Sequence, residues 1–158
     1  MKKAFSLLSF IFILHTSVYS QFTKNYKPIS SGEILRELES LKVLGTALYI
    51  AAHPDDENTQ LISYLSKDRL IRTAYFSFTR GDGGQNLIGT ETGASMGLIR
   101  THELLEARKL DGGQQFFSRA IDFGYSKTSK ETLKIWDKEK ALADLVWVIR
   151  KFKPDVLI

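Results

Sequence analysis

The run Ala51-Ala52-His53-Pro54-Asp55-Asp56-Glu57 holds the residues best suited to do chemistry. Imidazole and carboxylate are both ligand types that suit a catalytic zinc ion. His53 and Asp56 lie three residues apart, across a turn begun by Pro54. Proline fixes its own φ and pushes the preceding residue toward extended geometry. That can aim both side chains at one point. A zinc ion there would take a third protein ligand and keep an open position for water. Asp55, between the two, could serve as general base toward water that the metal acidifies to a pKa of about 7. The combination points to metal-assisted hydrolysis. Asp55, Asp56 and Glu57 equally suit a helix N-terminus, where carboxylates accept from free N–H groups and complement the macrodipole. Residue types alone leave both readings open.

The elements around this run must place it. Residues 46–52 form an apolar stretch without alternation, as expected of a parallel strand covered on both faces. A helix is expected over 57–66, with Leu61, Ile62 and Leu65 on one side. The turn therefore sits at the carboxyl end of a strand, where open α/β sheets bind ligands. Upstream, Ser30 or Ser31 can cap a helix, and Gly45 stops it. A second strand over 72–79 is rich in aromatic and β-branched residues. It runs into a long glycine-rich loop over 80–93, and loops of that length in compact domains are usually functional. A helix over 95–110, a strand over 115–122, a polar loop over 123–130 and an amphipathic helix over 137–152 follow. Pro154 ends that helix, and Asp155 begins another apolar strand. The order implies an α/β domain with a largely parallel sheet. Because the sequence stops inside a strand, a longer parent protein is expected.

The chain of 158 residues is 43% hydrophobic and 25% charged, as expected of one globular domain. It has no cysteine, which excludes disulfides, thiolate ligands and a cysteine nucleophile. Residues 1–20 read as a secretory signal peptide: Lys2 and Lys3, then an apolar run, then Val18-Tyr19-Ser20 before a cut at Gln21. That run is shorter than the roughly 20 residues a bilayer span needs. A secreted or periplasmic location is expected, with no stable membrane span after cleavage. Loss of both lysines lowers the net charge from +4 to +2, so basicity gives little support to nucleic-acid binding. His15 also leaves, and only His53 and His102 remain.

Ala52-His53-Pro54-Asp55-Asp56-Glu57 resembles the signature of the PIG-L, or LmbE-like, family of zinc-dependent N-deacetylases. Phe78-Thr79-Arg80-Gly81-Asp82-Gly83-Gly84 resembles the family's loop after its second strand. Arg100-Thr101-His102-Glu103 resembles its R-x-x-E helix start, and Lys153-Pro154-Asp155-Val156 its lead into a later strand. The resemblance spans 44–158, with residues 21–43 as lead-in and helix. It extends to Gly83-Gly84-Gln85-Asn86 and Asp111-Gly112-Gly113-Gln114-Gln115, which look like those of secreted bacterial members. It implies a Rossmann-like three-layer fold, zinc held by His53 and Asp56, and Asp55 as general base. Arg100 would contact substrate or order the site, with Glu103 in support. The implied reaction removes acetyl from an N-acetylglucosamine-type amide, in an amino-sugar-containing small molecule or a glycan.

The family's third zinc ligand is a His beyond the strand begun at Asp155, so it is expected past Ile158. His102 is rotated off the face shared by Arg100 and Glu103, which marks it as a surface or packing residue. The 158-residue piece alone is expected to bind zinc weakly and to be inactive. Arg108 and Lys109 read as a solvated helix face, and Trp136 and Trp147 as packing residues. The alternative function is a non-catalytic secreted carbohydrate-binding domain that retains the motif for structure. A nucleotide-binding Rossmann domain is disfavoured, because His-Pro-Asp-Asp fills the turn where a glycine fingerprint belongs.

Overall fold

The structure is a computed structural model, and it describes residues 28–158. The expected signal peptide lies outside the described residues. The chain divides into two units, 1–36 and 37–158, and the sheet belongs to the second. The element order is α1 (Ser31–Ser40), β1 (Thr46–Ala51), α2 (Thr59–Ser63), β2 (Arg72–Ser77), α3 (Ala94–Asp111), β3 (Gln114–Phe117), α4 (Ser129–Ile135), α5 (Lys138–Phe152) and β4 (Val156–Leu157). A π-helical turn, Tyr64–Asp68, continues α2. At α1 the Ser30 hydroxyl accepts from Glu33 N at 3.2 Å, while the Glu33 carboxylate accepts from Ser30 N at 2.8 Å. This is the reciprocal capping box.

The four strands run parallel in the order β3-β2-β1-β4. The chain order reverses between β1 and β4, so the carboxyl end of β1 lies at a topological switch point. Such a crevice is where doubly wound sheets bind ligands. Side chains alternate across the sheet with a period of two. Leu48, Ala74 and Phe76 pack on one face with Val148 and Phe152 of α5. Tyr75 packs on the other face with Ile62 of α2 and Leu104 of α3. Helices thus cover both faces, giving a Rossmann-like three-layer domain. Burial of each Leu, Ile, Val or Phe side chain among these contributes roughly 1.5–3 kcal/mol relative to exposure.

Three elements depart from the sequence expectation in ways that bear on the site. Helix α2 begins at Thr59, not Glu57, because the Asn58 side chain caps it by accepting from Leu61 N at 2.9 Å. Strand β3 stops at Phe117, where the Ser118 hydroxyl donates to Phe78 O at 2.6 Å and accepts from Ala120 N at 3.0 Å. The segment after it therefore turns over the strand ends. Helix α4 was not expected. Thr128 caps it, accepting from Glu131 N at 3.3 Å, and Glu131 reaches back to Lys127 N at 3.1 Å.

Candidate active site

The His53 turn leaves β1 and is pinned from below at three points. The Tyr75 hydroxyl donates to the His53 carbonyl. The Tyr49 hydroxyl donates to the Asp56 carbonyl at 3.3 Å. Arg108 holds the Glu57 carboxylate at 3.5 Å. Burial shifts the Tyr75 hydroxyl well above its ordinary pKa, so it stays a proton donor. Burial also raises the Glu57 carboxyl, against the opposing pull of Arg108.

Within the turn, Asp56 Oδ2 accepts from His53 N at 2.9 Å and lies 3.3 Å from His53 Nδ1. Imidazole and carboxylate share one locus, and both side chains are partly open to solvent, at 36% and 46%. Asp55 points elsewhere: its Oδ2 lies 3.2 Å from Arg100 Nη2. Arg100 Nη1 lies 3.6 Å from Glu103 Oε2, so α3 presents the guanidinium between two carboxylates. Asn58 does the capping at α2, which leaves Asp55 and Asp56 free for other work.

The glycine-rich loop closes over this turn. Gly81 has φ +69°, and a Cβ there would come within 3.2 Å of Pro54 and 3.4 Å of Arg100 Nε. Glycine suits both that close approach and that left-handed backbone conformation. The result is a cleft of about 280 Å³ bounded by His53, Asp55, Gly84, Met96, Arg100 and Asp122. Asp122 was missed from sequence. Its side chain is 9% exposed, and its Oδ1 lies 3.6 Å from His53 Nε2. Its position just after the third strand, at the ligand-binding edge of the sheet, was the available signal.

Two other expectations need correction. Arg108 is not solvated: it is 5% exposed, bonded to Asp111 and Glu57, with its guanidinium 5.5 Å from the Tyr75 ring centre. Lys109 does lie on the surface, paired with Glu106. Trp136 packs, stacking on Phe78 at 5.1 Å, but Trp147 is 56% exposed on α5. His102 is exposed on α3 and does not line the cleft. In the glycine-rich loop, Arg80 Nη1 donates to the Thr101 hydroxyl at 3.0 Å and Asp82 Oδ1 accepts from Asp122 N at 3.2 Å, so both side chains tie the loop to neighbouring segments.

The donor set fits a zinc ion in part. His53 and Asp56 are two donors of suitable chemistry at one open locus. Among the described residues, no three His, Asp or Glu side chains gather in metal-holding geometry. The chemistry of His53 and Asp56 suits two of the three protein ligands that a catalytic zinc takes.

The fold and the turn define a Rossmann-like α/β domain with a carboxylate-histidine site at its switch point. The chain belongs to the PIG-L family: the family model, GlcNAc-PI de-N-acetylase, matches residues 48–158. Among solved structures, the N,N'-diacetylchitobiose deacetylase of Pyrococcus horikoshii is similar, with a TM-score of 0.54 at 22% identity, covering 84% of this chain and 50% of that one. The 4-carboxy-2-hydroxymuconate hydratase of Pseudomonas putida has a TM-score of 0.51 at 22% identity, covering 72% of this chain and 46% of its own. The chain thus spans about half the length of these relatives. No curated protein matches it significantly. No described helix is long and apolar enough to cross a membrane.

Proposed function

We propose that this chain carries two metal ligands and the general base of a secreted N-deacetylase, which hydrolyses the acetamide of an N-acetylglucosamine-type substrate. The observation that carries the reading is the division of labour in the turn. His53 and Asp56 share one locus, while Asp55 turns to Arg100. Zinc held by His53, Asp56 and a third ligand would supply Lewis acidity, polarising the amide carbonyl and bringing the pKa of water to about 7. Asp55 takes the proton of the attacking water and passes it to the departing nitrogen. The water oxygen joins the acyl carbon, the C–N bond breaks, and acetate and an amine leave. Arg100 fixes the Asp55 carboxylate at the cleft edge, and Glu103 steadies Arg100. Pre-positioning of this kind removes reorganisation from the reaction step.

The hydratase shares the fold to a similar degree, so fold alone does not separate amide hydrolysis from hydration. Family membership, through a model for a de-N-acetylase, supports hydrolysis. The test is Asp55→Ala in the full-length protein. Turnover of an N-acetylglucosaminide should fall by about two to four orders of magnitude, the range for loss of a general base, with zinc content unchanged. Full activity in that variant would refute the assignment of the base. A full-length protein that holds no zinc would instead favour a carbohydrate-binding module.

A further inference from the structure

A second cavity of about 530 Å³ adjoins the candidate active-site cleft. The two share Gln85, Met96 and Arg100 as lining, so they lie side by side. The outer wall of the second is aliphatic: Leu87, Ile88 and Ile99. Leu87 and Ile88 are 94% and 98% exposed, side by side on the glycine-rich loop. Their presentation is built rather than incidental. Asn86 Nδ2 donates to Glu91 Oε2 at 2.6 Å, and Asn86 Oδ1 accepts from Ile88 N at 3.1 Å. One asparagine side chain thus ties both ends of the turn that carries the two aliphatic residues. Gly89 sits inside the clasp, where a Cβ would lie 2.1 Å from Glu91 Oε2.

The lining selects among ligand chemistries. It has no aromatic ring on which a second sugar could stack. Its one cation, Arg100, already faces Asp55 and Glu103. Glu91 and Glu103 contribute negative charge, which disfavours a phosphate-bearing group. Leu87, Ile88 and Ile99 leave aliphatic surface as the largest uncharged part of this lining.

We propose that this cavity is a second subsite, which takes a neutral aliphatic aglycone attached to the amino sugar. Leu87 and Ile88 form the lip that closes on it. The sugar end of this proposal rests on the deacetylase reading; the aliphatic end does not. The test uses the full-length protein and octyl glucoside below its micelle concentration, a probe with no acetamide to hydrolyse. Binding is measured by calorimetry, in parallel with kcat/KM for octyl N-acetylglucosaminide and for free N-acetylglucosamine.

The double variant Leu87→Ser/Ile88→Ser should weaken octyl glucoside binding about tenfold, as expected for losing a few methylene contacts. It should also lower the ratio of kcat/KM for the octyl substrate over the free sugar by a similar factor. Asn86→Ala, which frees the clasp, should shift both in the same direction by less. Octyl glucoside binding that the double variant leaves unaltered would overturn the subsite, as would octyl phosphate binding as tightly as octyl glucoside. Octyl glucoside binding that depends on the lip, with neither amide hydrolysed, would keep the subsite and discard the deacetylase reading.

Discussion

Arg108 of α3 reaches Glu57 at 3.5 Å, and both side chains are almost fully buried, at 4% and 7% exposed. Glu57 directly follows Asp56, so this pair ties the candidate metal turn to the helix that also carries Arg100. Arg108 Nη2 lies 2.5 Å from Asp111 Oδ2, and Nη1 donates to Gln115 Oε1 at 3.2 Å. Arg108→Met would leave two buried carboxylates without their cation. Removing one partner of a buried pair costs about 3–5 kcal/mol. Urea unfolding should show that loss; a change under about 1 kcal/mol would mean that Arg108 is a surface residue in effect.

Much of this architecture was legible from sequence. Strand β1 shows itself as an unbroken apolar run, and Pro54 and Gly112 punctuate where the backbone requires it. His53, Asp55 and Asp56 stand out because their types cluster. Arg108 did not, because a lone arginine on a helix is solvated by default. Its burial depends on Glu57, Asp111 and Tyr75 arriving from separate elements. Asp122 stood at the end of an expected strand over 115–122, and its place in the cleft follows only because Ser118 ends β3 early and turns the chain over the sheet edge. Helix α4 does carry a signal in the sequence, the capping pair Thr128-x-x-Glu131.

The segment that carries Asp122 is anchored to α5 through charge. Arg119 N donates to Asp144 Oδ2 at 3.0 Å, and Arg119 Nη2 donates to Asp144 Oδ1 at 2.7 Å. The hydrogen bond from Arg119 holds the Asp144 carboxyl below its ordinary pKa. A depressed folded pKa gives stability that is present above the unfolded value, about 3.9 for aspartate. That stability is lost as pH falls through the folded value. Asp144→Asn should therefore lower Tm near neutral pH and flatten the acid limb of the Tm–pH curve. The two curves should converge at the lowest pH reached. Parallel curves would show that the Arg119 contact contributes nothing that titrates.

Asp122 Oδ1 lies 3.6 Å from His53 Nε2, beyond hydrogen-bond length but close enough to orient the ring electrostatically. A carboxylate behind a ligating imidazole fixes the ring and raises its basicity. Loss of such a partner lowers metal affinity by about 10–100-fold. Asp122→Asn in the full-length protein should weaken zinc binding within that range, measured by competition with a chelator, while unfolding stability changes little. Unaltered zinc affinity would place Asp122 among the loop-forming residues only, in keeping with its acceptance from Gly124 N at 3.0 Å.

Gly83 tests how tightly the glycine loop and the Asp122 segment are matched. A Cβ at Gly83 would lie 2.7 Å from the Asp122 carbonyl oxygen and 2.9 Å from its carbonyl carbon. Both are backbone atoms and cannot swing aside as a side-chain tip would. Gly83→Ala must therefore push the two segments apart, and overpacking of this kind costs about 1–3 kcal/mol. The displacement falls on the residue that faces His53, so its effect should exceed a general loss of stability. Zinc affinity should fall in Gly83→Ala at a temperature well below its Tm. Gly84→Ala, where a Cβ meets only the Gly81 carbonyl oxygen at 3.2 Å, should retain more of it. Equal zinc affinity in the two variants would show that the loop yields without moving Asp122.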